Sequence, residues 1–250
     1  MPVIDLNSDI GESFGVYLYG ADEAILPHIT SANIACGFHA GDPSTMARTV
    51  AAAARLGVAI GAHPGYPDRL GFGRRDMEID PAEVEAYLIY QIGALAYFAR
   101  AAGQRVHHVK PHGAMYNRAA KDVTLAAAIA RAIAKVDPGL LVYAQPGSVL
   151  AAECQKAGLN VAYEAFADRA YNPDGTLVSR SRPGAVLSPE KAADQALRIA
   201  SEGKVLAVDG SMVAVPANTL CIHGDTPGAA DVARSVRIRL AEAGIDVRAP

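Results

Sequence analysis

The chain has 250 residues, 51% of them apolar and 20% charged, with a formal net charge of −3 and 3 cysteines. That length and apolar share suit one domain with a substantial core, and a near-neutral charge without a lysine–arginine stripe argues against nucleic acid or an anionic membrane as a partner. No run approaches the roughly 20 apolar residues that span a bilayer and no basic leader precedes the first strand, so the expectation is a cytoplasmic protein acting on a small molecule.

Strand 3–7 opens the chain and runs into D-L-N-S-D-I-G-E-S-F-G at 5–15. Strand 30–36 leads to G-F-H-A-G-D-P at 37–43, where Asp42-Pro43 sets an N-cap before a proline at the first helical position, and Gly57 closes that helix. Strand 58–62 enters a glycine- and proline-rich loop, H-P-G-Y-P-D-R-L-G-F-G-R-R at 63–75. Asp80-Pro81 then starts the longest helix, 81–102, with Glu83 placed for a reciprocal capping bond and Gly103 as its stop. Strand 107–111 delivers K-P-H-G-A-M-Y-N at 110–117, and strands 140–144 and 160–165 follow, the second introduced by Gly158. Ser188-Pro189 opens a helix that Gly203 closes, strands are expected at 205–209 and 219–223, and Thr226-Pro227 begins a last helix that ends at Gly244.

Seven or eight β/α units without a break in composition predict a single domain over 1–250, an α/β fold of the parallel (β/α) barrel type, TIM-like and either complete or incomplete, in preference to an open doubly wound sheet. No G-x-G-x-x-G follows the first strand and no G-x-x-x-x-G-K-[ST] occurs, so neither standard nucleotide signature is present. Residues two apart share a strand face, which turns Ile4 and Leu6 toward the helices and sends Asp5, Asn7 and Asp9 to the axis. His108, Lys110 and His112 share a face in the same way, while Asn33, Glu164 and His223 enter from other strands; a bulge would reverse any of these assignments.

Polar residues therefore gather where parallel strands end, the usual place for an active site. Asp9 and Glu12 are candidates for a base or a cation holder, whereas Asp5 is expected to bond neighbouring strands. His39 either transfers protons or binds the backbone. Arg69, Arg74 and Arg75 carry guanidinium forks suited to carboxylate or phosphate, with surface solvation as the alternative for the last two. Lys110 is the strongest candidate, because a lysine facing a barrel interior needs an anionic partner. His112 and Asn117 follow it in one turn, while Met115 and Tyr116 read as packing. Asp168 and Arg169 either serve the site or pair with each other, and His223 and Asp225 either bind ligand or close the last loop. His39, His63, His112 and His223, with Asp9 and Glu164, also offer metal-ligand chemistry, but no H-x-H or H-E-x-x-H occurs and a tightly bound metal is left undecided. Cys36, Cys154 and Cys221 are odd in number and lack a C-x-x-C pair, which predicts reduced thiols, with Cys36 a small buried hydrophobe and not a nucleophile.

D-L-N-S-D-I-G-E-S-F-G, N-I-A-C-G-F-H-A-G-D-P, G-A-H-P-G-Y-P-D, V-K-P-H-G-A-M-Y-N, E-A-F-A-D-R-A-Y and C-I-H-G-D together resemble the family of 5-oxoprolinase A subunits, also called LamB/YcsF, from residue 3 to about 244. R-S-R-P-G-A at 180–185 fits as well. The resemblance implies a (β/α) barrel related to glycoside hydrolases and deacetylases. It also implies ATP-dependent opening of 5-oxo-L-proline to L-glutamate, with ADP and phosphate formed, alongside companion subunits B and C. ATP, carried with Mg²⁺, is then the expected cofactor. In that chemistry Asp9 or Glu12 orients water or Mg²⁺, Lys110 neutralises developing charge and His112 or His39 moves protons. Arg69 or Arg169 holds the substrate carboxylate, and Asn7, His63, Asn117, Glu164 and His223 complete the substrate contacts. Two other readings stand beside it: a metal-dependent deacetylase or amidase, and a non-catalytic subunit that binds 5-oxoproline. The division of catalysis, the place of the ATP and the homo-oligomeric state stay open.

Overall fold

Apolar residues on alternate positions of the first strand set the architecture. In β1 (Val3–Ile10), Ile4, Leu6 and Ile10 are buried against the outer layer while Asp5, Asn7 and Asp9 turn to the axis. The computed structural model describes residues 2–224 and 228–250. Within it β1 is followed by the short α1 (Asp22–Ile25), β2 (Ser31–Ala35), α2 (Pro43–Leu56), β3 (Ala59–His63), α3 (Pro81–Ala101) and β4 (Val106–Val109). Next come α4 (Gly113–Ala119), α5 (Val123–Val136), β5 (Leu141–Ala144), α6 (Val149–Lys156), β6 (Asn160–Phe166) and α7 (Pro189–Glu202). The chain ends with β7 (Lys204–Leu206), β8 (Met212–Ala214), β9 (Thr219–Cys221), α8 (Ala229–Glu242) and β10 (Asp246–Val247). Strands β1 to β6 are parallel neighbours in order, and β9 pairs with both β6 and β1, so seven strands close a TIM-like barrel. The short β10 adds to the start of β1 outside that ring. Among the described residues no helix is long and apolar enough to cross a membrane.

Local chemistry explains the helix starts. Asp42, Asp80 and Ser188 each accept a hydrogen bond from a backbone N–H of the first turn, with proline at the first helical position. Asp122 and Ser148 cap α5 and α6 in the same way without a following proline. Glu83 departs from the expected capping box. Its carboxylate accepts from the Tyr87 hydroxyl, one turn along the same helix face. The expected start at Thr226-Pro227, with Asp225, lies outside the described residues.

The strand expected at 205–209 is not a barrel strand. Asp209 accepts from the Ser211 N–H and hydroxyl, Gly210 takes φ 89°, and the chain doubles back so that β7 and β8 pair antiparallel outside the barrel. An Asp-Gly turn between short apolar runs is a hairpin signal that the repeating β/α pattern concealed.

A register shift between β3 and β4 makes His107 the extra residue, and His108 is thereby aimed at the axis. Its ring stacks on Tyr143 with centroids 4.1 Å apart, and Nε2 lies 2.7 Å from Asn33 Oδ1. Gly61 makes this possible, because a Cβ there would sit 2.0 Å from His108 Nε2. Outside the barrel, Leu88, Ile92 and Leu95 of α3 and Ile129 and Ile133 of α5 bury the aliphatic layer that supports the strands.

Candidate active site

The barrel axis is a ladder of polar side chains. At its floor Asp5 accepts from the hydroxyls of Thr30 (2.6 Å), Ser31 (2.8 Å), Tyr143 (2.9 Å) and Thr219 (2.5 Å). Burial raises its pKa, which these bonds partly counter, and the residue ties four segments together as the sequence suggested. One level higher, Asn7 donates to Thr219 and accepts from Asn33, both at 2.7 Å. Asn33 also donates to Asp9 Oδ1 at 2.8 Å.

Lys110 stands at the top of this ladder. Its backbone N–H extends the pairing with β3 by bonding Ala62, so the strand geometry fixes where its stem begins. Nζ lies 2.9 Å from Asp9 Oδ1, 2.9 Å from Glu164 Oε1 and 3.1 Å from Cys221 Sγ. Burial opposes its charge, but Asp9, Cys221 and Glu164 hold its pKa well above the usual lysine value. Asp9 is the counterpart: burial again opposes the charge, and His63 and Lys110 bring its pKa well below the carboxylate range. Tyr116 donates to Glu164 Oε2 at 2.7 Å, and its burial, followed by the Glu164 charge, makes this phenol very reluctant to ionise.

Behind Asp9 lies a group of histidines. His63 Nε2 is 3.4 Å from Asp9 Oδ2 and 2.9 Å from His112 Nδ1. His39 lies flat on His112, with ring centroids 3.7 Å apart, and its Nε2 is 3.6 Å from Glu12 Oε1. Phe72, at φ 56° in the left-handed region that side chains rarely adopt, presents its carbonyl to His112 Nε2 at 2.8 Å. The 64–80 loop is buckled over this group by Asp68, which accepts from Gly71 N–H and from the Arg75 guanidinium. Among the described residues, metal-ligating atoms come within 4.8 Å of one another in two groups, Glu12 with His39, His63 and His112, and Asp9 with Cys221 and His223. The second group already has the Lys110 ammonium among its donors, and burial drives the Cys221 thiol far above its usual range.

An open cavity of about 720 Å³ leads from the surface to Lys110. Of the residues singled out from sequence, it is lined by Asp9, His63, Arg74, Lys110, His112, Asn117, Arg169 and His223, and Tyr116, read from sequence as packing, lines it as well. Asp168 orients His223, both carboxylate oxygens lying 3.0 Å from Nδ1, and so does not pair with Arg169. Arg169 instead donates to the Val178 and Ala185 carbonyls, holding the 177–186 loop along the cavity rim. Glu164 lines a smaller neighbouring cavity of about 170 Å³. Asn7, Glu12 and His39 stand behind the cavity wall, and Arg69 lies on the outer loop, bonded to the Gly37 and Gly41 carbonyls and stacked on Phe14. Cys36 is buried, and that burial pushes its thiol up to about 12.

Sequence reasoning missed Gln145, Phe166 and Arg180, which also line the cavity. Gln145 follows β5 directly, so the rule that picked the other strand ends would have found it. Phe166 ends β6 and places its ring 5.7 Å from Lys110 Nζ.

A closed parallel barrel with a clamped lysine, carboxylates and histidines at the carboxyl ends of its strands has the layout of a barrel enzyme. The chain belongs to the LamB/YcsF family, which it matches over residues 4–250. It is 58% identical over 248 residues to the 5-oxoprolinase A subunit of Symbiobacterium thermophilum, covering 99% of this chain and 95% of that one. A 5-oxoprolinase A subunit from Thermus thermophilus is 54% identical over 247 residues, 98% of this chain and 99% of its own. The crystal structure of a lactam utilization protein from Thermus thermophilus superposes with a TM-score of 0.95 at 53% identity, covering 99% of this chain and all of that one. A polysaccharide deacetylase from Bacillus cereus, at 15% identity and a TM-score of 0.50, shares the fold over the full length of this chain and 92% of its own.

Proposed function

We propose that this chain is the A subunit of an ATP-dependent 5-oxoprolinase, opening the lactam of 5-oxo-L-proline to L-glutamate with companion subunits B and C. The observation that carries the reading is the Lys110 ammonium, held 2.9 Å from both Asp9 and Glu164 beside a cavity large enough for a small molecule. Full-length likeness to relatives named for that activity supports it. The three free, buried cysteines fit a reducing cytoplasm.

A lactam carbonyl is a poor electrophile, and transfer of the ATP γ-phosphoryl group to its oxygen, with loss of the ring N–H proton, makes the carbon reactive. Water adds to that carbon, the C–N bond breaks as nitrogen takes up protons, and the resulting acyl phosphate is hydrolysed by a second water to glutamate and phosphate. Lys110 offsets negative charge on the carbonyl or phosphoryl oxygen, and Mg²⁺ arrives with the nucleotide. Asp9 orients the attacking water, and His223, on the cavity wall, moves protons. Asn117 and Arg169 are placed to contact substrate from the rim. Exposed Val16, Leu18 and Leu70 on the outer loops provide an apolar surface for one of the companions.

The test is release of ADP and glutamate from 5-oxo-L-proline and Mg-ATP by this chain alone, by its companions alone and by the complete mixture. Coupled release only from the complete mixture supports the assignment. No release from any mixture of folded components overturns it.

A further inference from the structure

His63 and His112 meet nitrogen to nitrogen. His63 Nδ1 lies 2.7 Å from the Lys110 carbonyl and His112 Nε2 lies 2.8 Å from the Phe72 carbonyl. A carbonyl only accepts, so each of those nitrogens carries the hydrogen. In the neutral form of both rings the bare lone pairs lie at His63 Nε2 and His112 Nδ1, and these two atoms are 2.9 Å apart. Two facing lone pairs repel unless a cation is placed to receive them.

His39 supplies an independent observation. It is 1% exposed, and neither of its ring nitrogens has a hydrogen-bond partner among the described residues. A buried imidazole with both nitrogens unsatisfied is costly, and its Nε2 lies 3.6 Å from Glu12 Oε1. Glu12 Oε1 completes the group, 3.6 Å from His39 Nε2 and 3.8 Å from His112 Nδ1.

We propose that Glu12, His39, His63 and His112 form a binding site for one divalent transition-metal ion of the zinc type. Three imidazoles and one carboxylate are donors suited to zinc or its first-row neighbours, whereas Mg²⁺ and Ca²⁺ prefer oxygen alone. Bonds of about 2.0–2.1 Å around a tetrahedral ion put the ligand atoms roughly 3.3–3.4 Å from each other. The observed separations of 2.9, 3.6 and 3.8 Å bracket that spacing.

The carbonyls of Lys110 and Phe72 fix the tautomers of His63 and His112, which is the outer-sphere arrangement that orients metal-bound histidines. His39, stacked on His112, must turn for its lone pair to face the ion, and no hydrogen bond among the described residues holds it back. Gly65 and Gly73 leave the rings their room, since a Cβ at either would come 2.6 Å from His39 Nδ1 or 2.7 Å from His112 Cδ2. An ion bound here sits against the cavity wall formed by His63 and His112, within reach of a carbonyl or phosphoryl oxygen.

The proposal rests on these residues alone and does not require the 5-oxoprolinase reading. The test is zinc binding to the full chain after removal of metal by chelator, read by metal analysis after gel filtration and by the absorption of bound Co²⁺, without lactam or ATP. One zinc per chain is expected, with affinity reduced in His39→Gln and in His63→Gln by at least the roughly 10–100-fold that follows loss of an outer-sphere partner. Among the described residues His39 has no hydrogen-bond partner, so His39→Gln is expected to keep the melting temperature of the metal-free protein and serves where His63→Gln does not fold. Failure of the folded wild-type chain to retain zinc, or retention unchanged in His39→Gln, overturns the site. So does nitrogen NMR of labelled histidines showing a proton between His63 and His112 that zinc does not displace.

Discussion

Lys110→Met is the most informative single change. It leaves Asp9 and Glu164 facing each other without the ammonium that lies 2.9 Å from each, so their charged oxygens remain within about 6 Å. At an effective dielectric of about 20, two like charges roughly 5 Å apart repel by about 3 kcal/mol. That agrees with the ~3–5 kcal/mol lost when one partner is removed from a buried ion pair. For a chain of this size, with about 2–4 °C per kcal/mol, the melting temperature should fall by roughly 6–13 °C. The loss has a pH signature. Repulsion raises the pKa of one carboxylate above its unfolded value, so the variant regains stability as pH falls toward that pKa and is weakest above it. Removing the second charge with Glu164→Gln should restore at least about 1 kcal/mol to the variant without restoring turnover. Turnover of the complete enzyme should fall by about 100-fold or more, as when an oxyanion donor is removed. Calorimetry across pH and release of ADP and glutamate read the two effects separately. A variant with wild-type melting temperature and turnover refutes the argument.

Gly61→Ala places a Cβ 2.0 Å from His108 Nε2, and displacing that ring from Asn33 and Tyr143 should cost about 1–3 kcal/mol, measurable by urea denaturation. Unchanged stability would mean that the ring has room elsewhere. Cys36, with its thiol pushed up to about 12 by burial, should resist alkylation at pH 8 in the native chain and react only after unfolding, as mass spectrometry would show. Native labelling of Cys36 would contradict that burial. Asp9 is held well below its unfolded value of 3.8, so its contribution to stability is present above about pH 4 and lost as pH falls through the lowered folded value. Asp5, raised by burial, acts with the opposite sign and gains as pH falls. In Asp9→Asn the fall in stability on acidification should therefore be shallower than in the wild type, and an equally steep fall would assign it to other groups.

The barrel was legible because each unit announces itself locally. Asp42-Pro43, Asp80-Pro81 and Ser188-Pro189 encode caps in adjacent residues, and the strand alternation that turned Asp5, Asn7 and Asp9 inward needs only the period of two. What escaped depends on distant partners. Nothing near Gly61 says that His108, 47 positions later, needs the space its missing Cβ leaves. Charge alone marked Arg69 and Arg169, and which loop carbonyls take up their guanidinium donors is not written beside them in the sequence. The nitrogen-to-nitrogen contact of His63 and His112 is likewise set by two carbonyls, and a carbonyl's aim is invisible in a sequence.

The polar axis also explains why stability and chemistry are assigned to different layers. Barrel interiors are commonly filled by branched aliphatic side chains, whereas here the axis carries Asp5, Asn7, Asn33, His108, Asp9, Lys110 and Glu164 in one connected network. A buried network of this kind contributes less than an aliphatic core of the same volume, because its internal bonds replace bonds to water. The apolar burial that holds the fold lies instead between strands and helices, in residues such as Leu6, Ile34, Leu88 and Ile129. What the network supplies is position. Each group is fixed by the next, from Asp5 at the floor through Asn7 and Asn33 to Asp9 and Lys110, so the ammonium cannot shift without leaving a buried donor or acceptor unmatched. Rigid placement of one charge at the inner end of a cavity is what electrostatic catalysis requires. Changes low on the axis, in residues that never meet a ligand, should therefore alter turnover by moving Lys110.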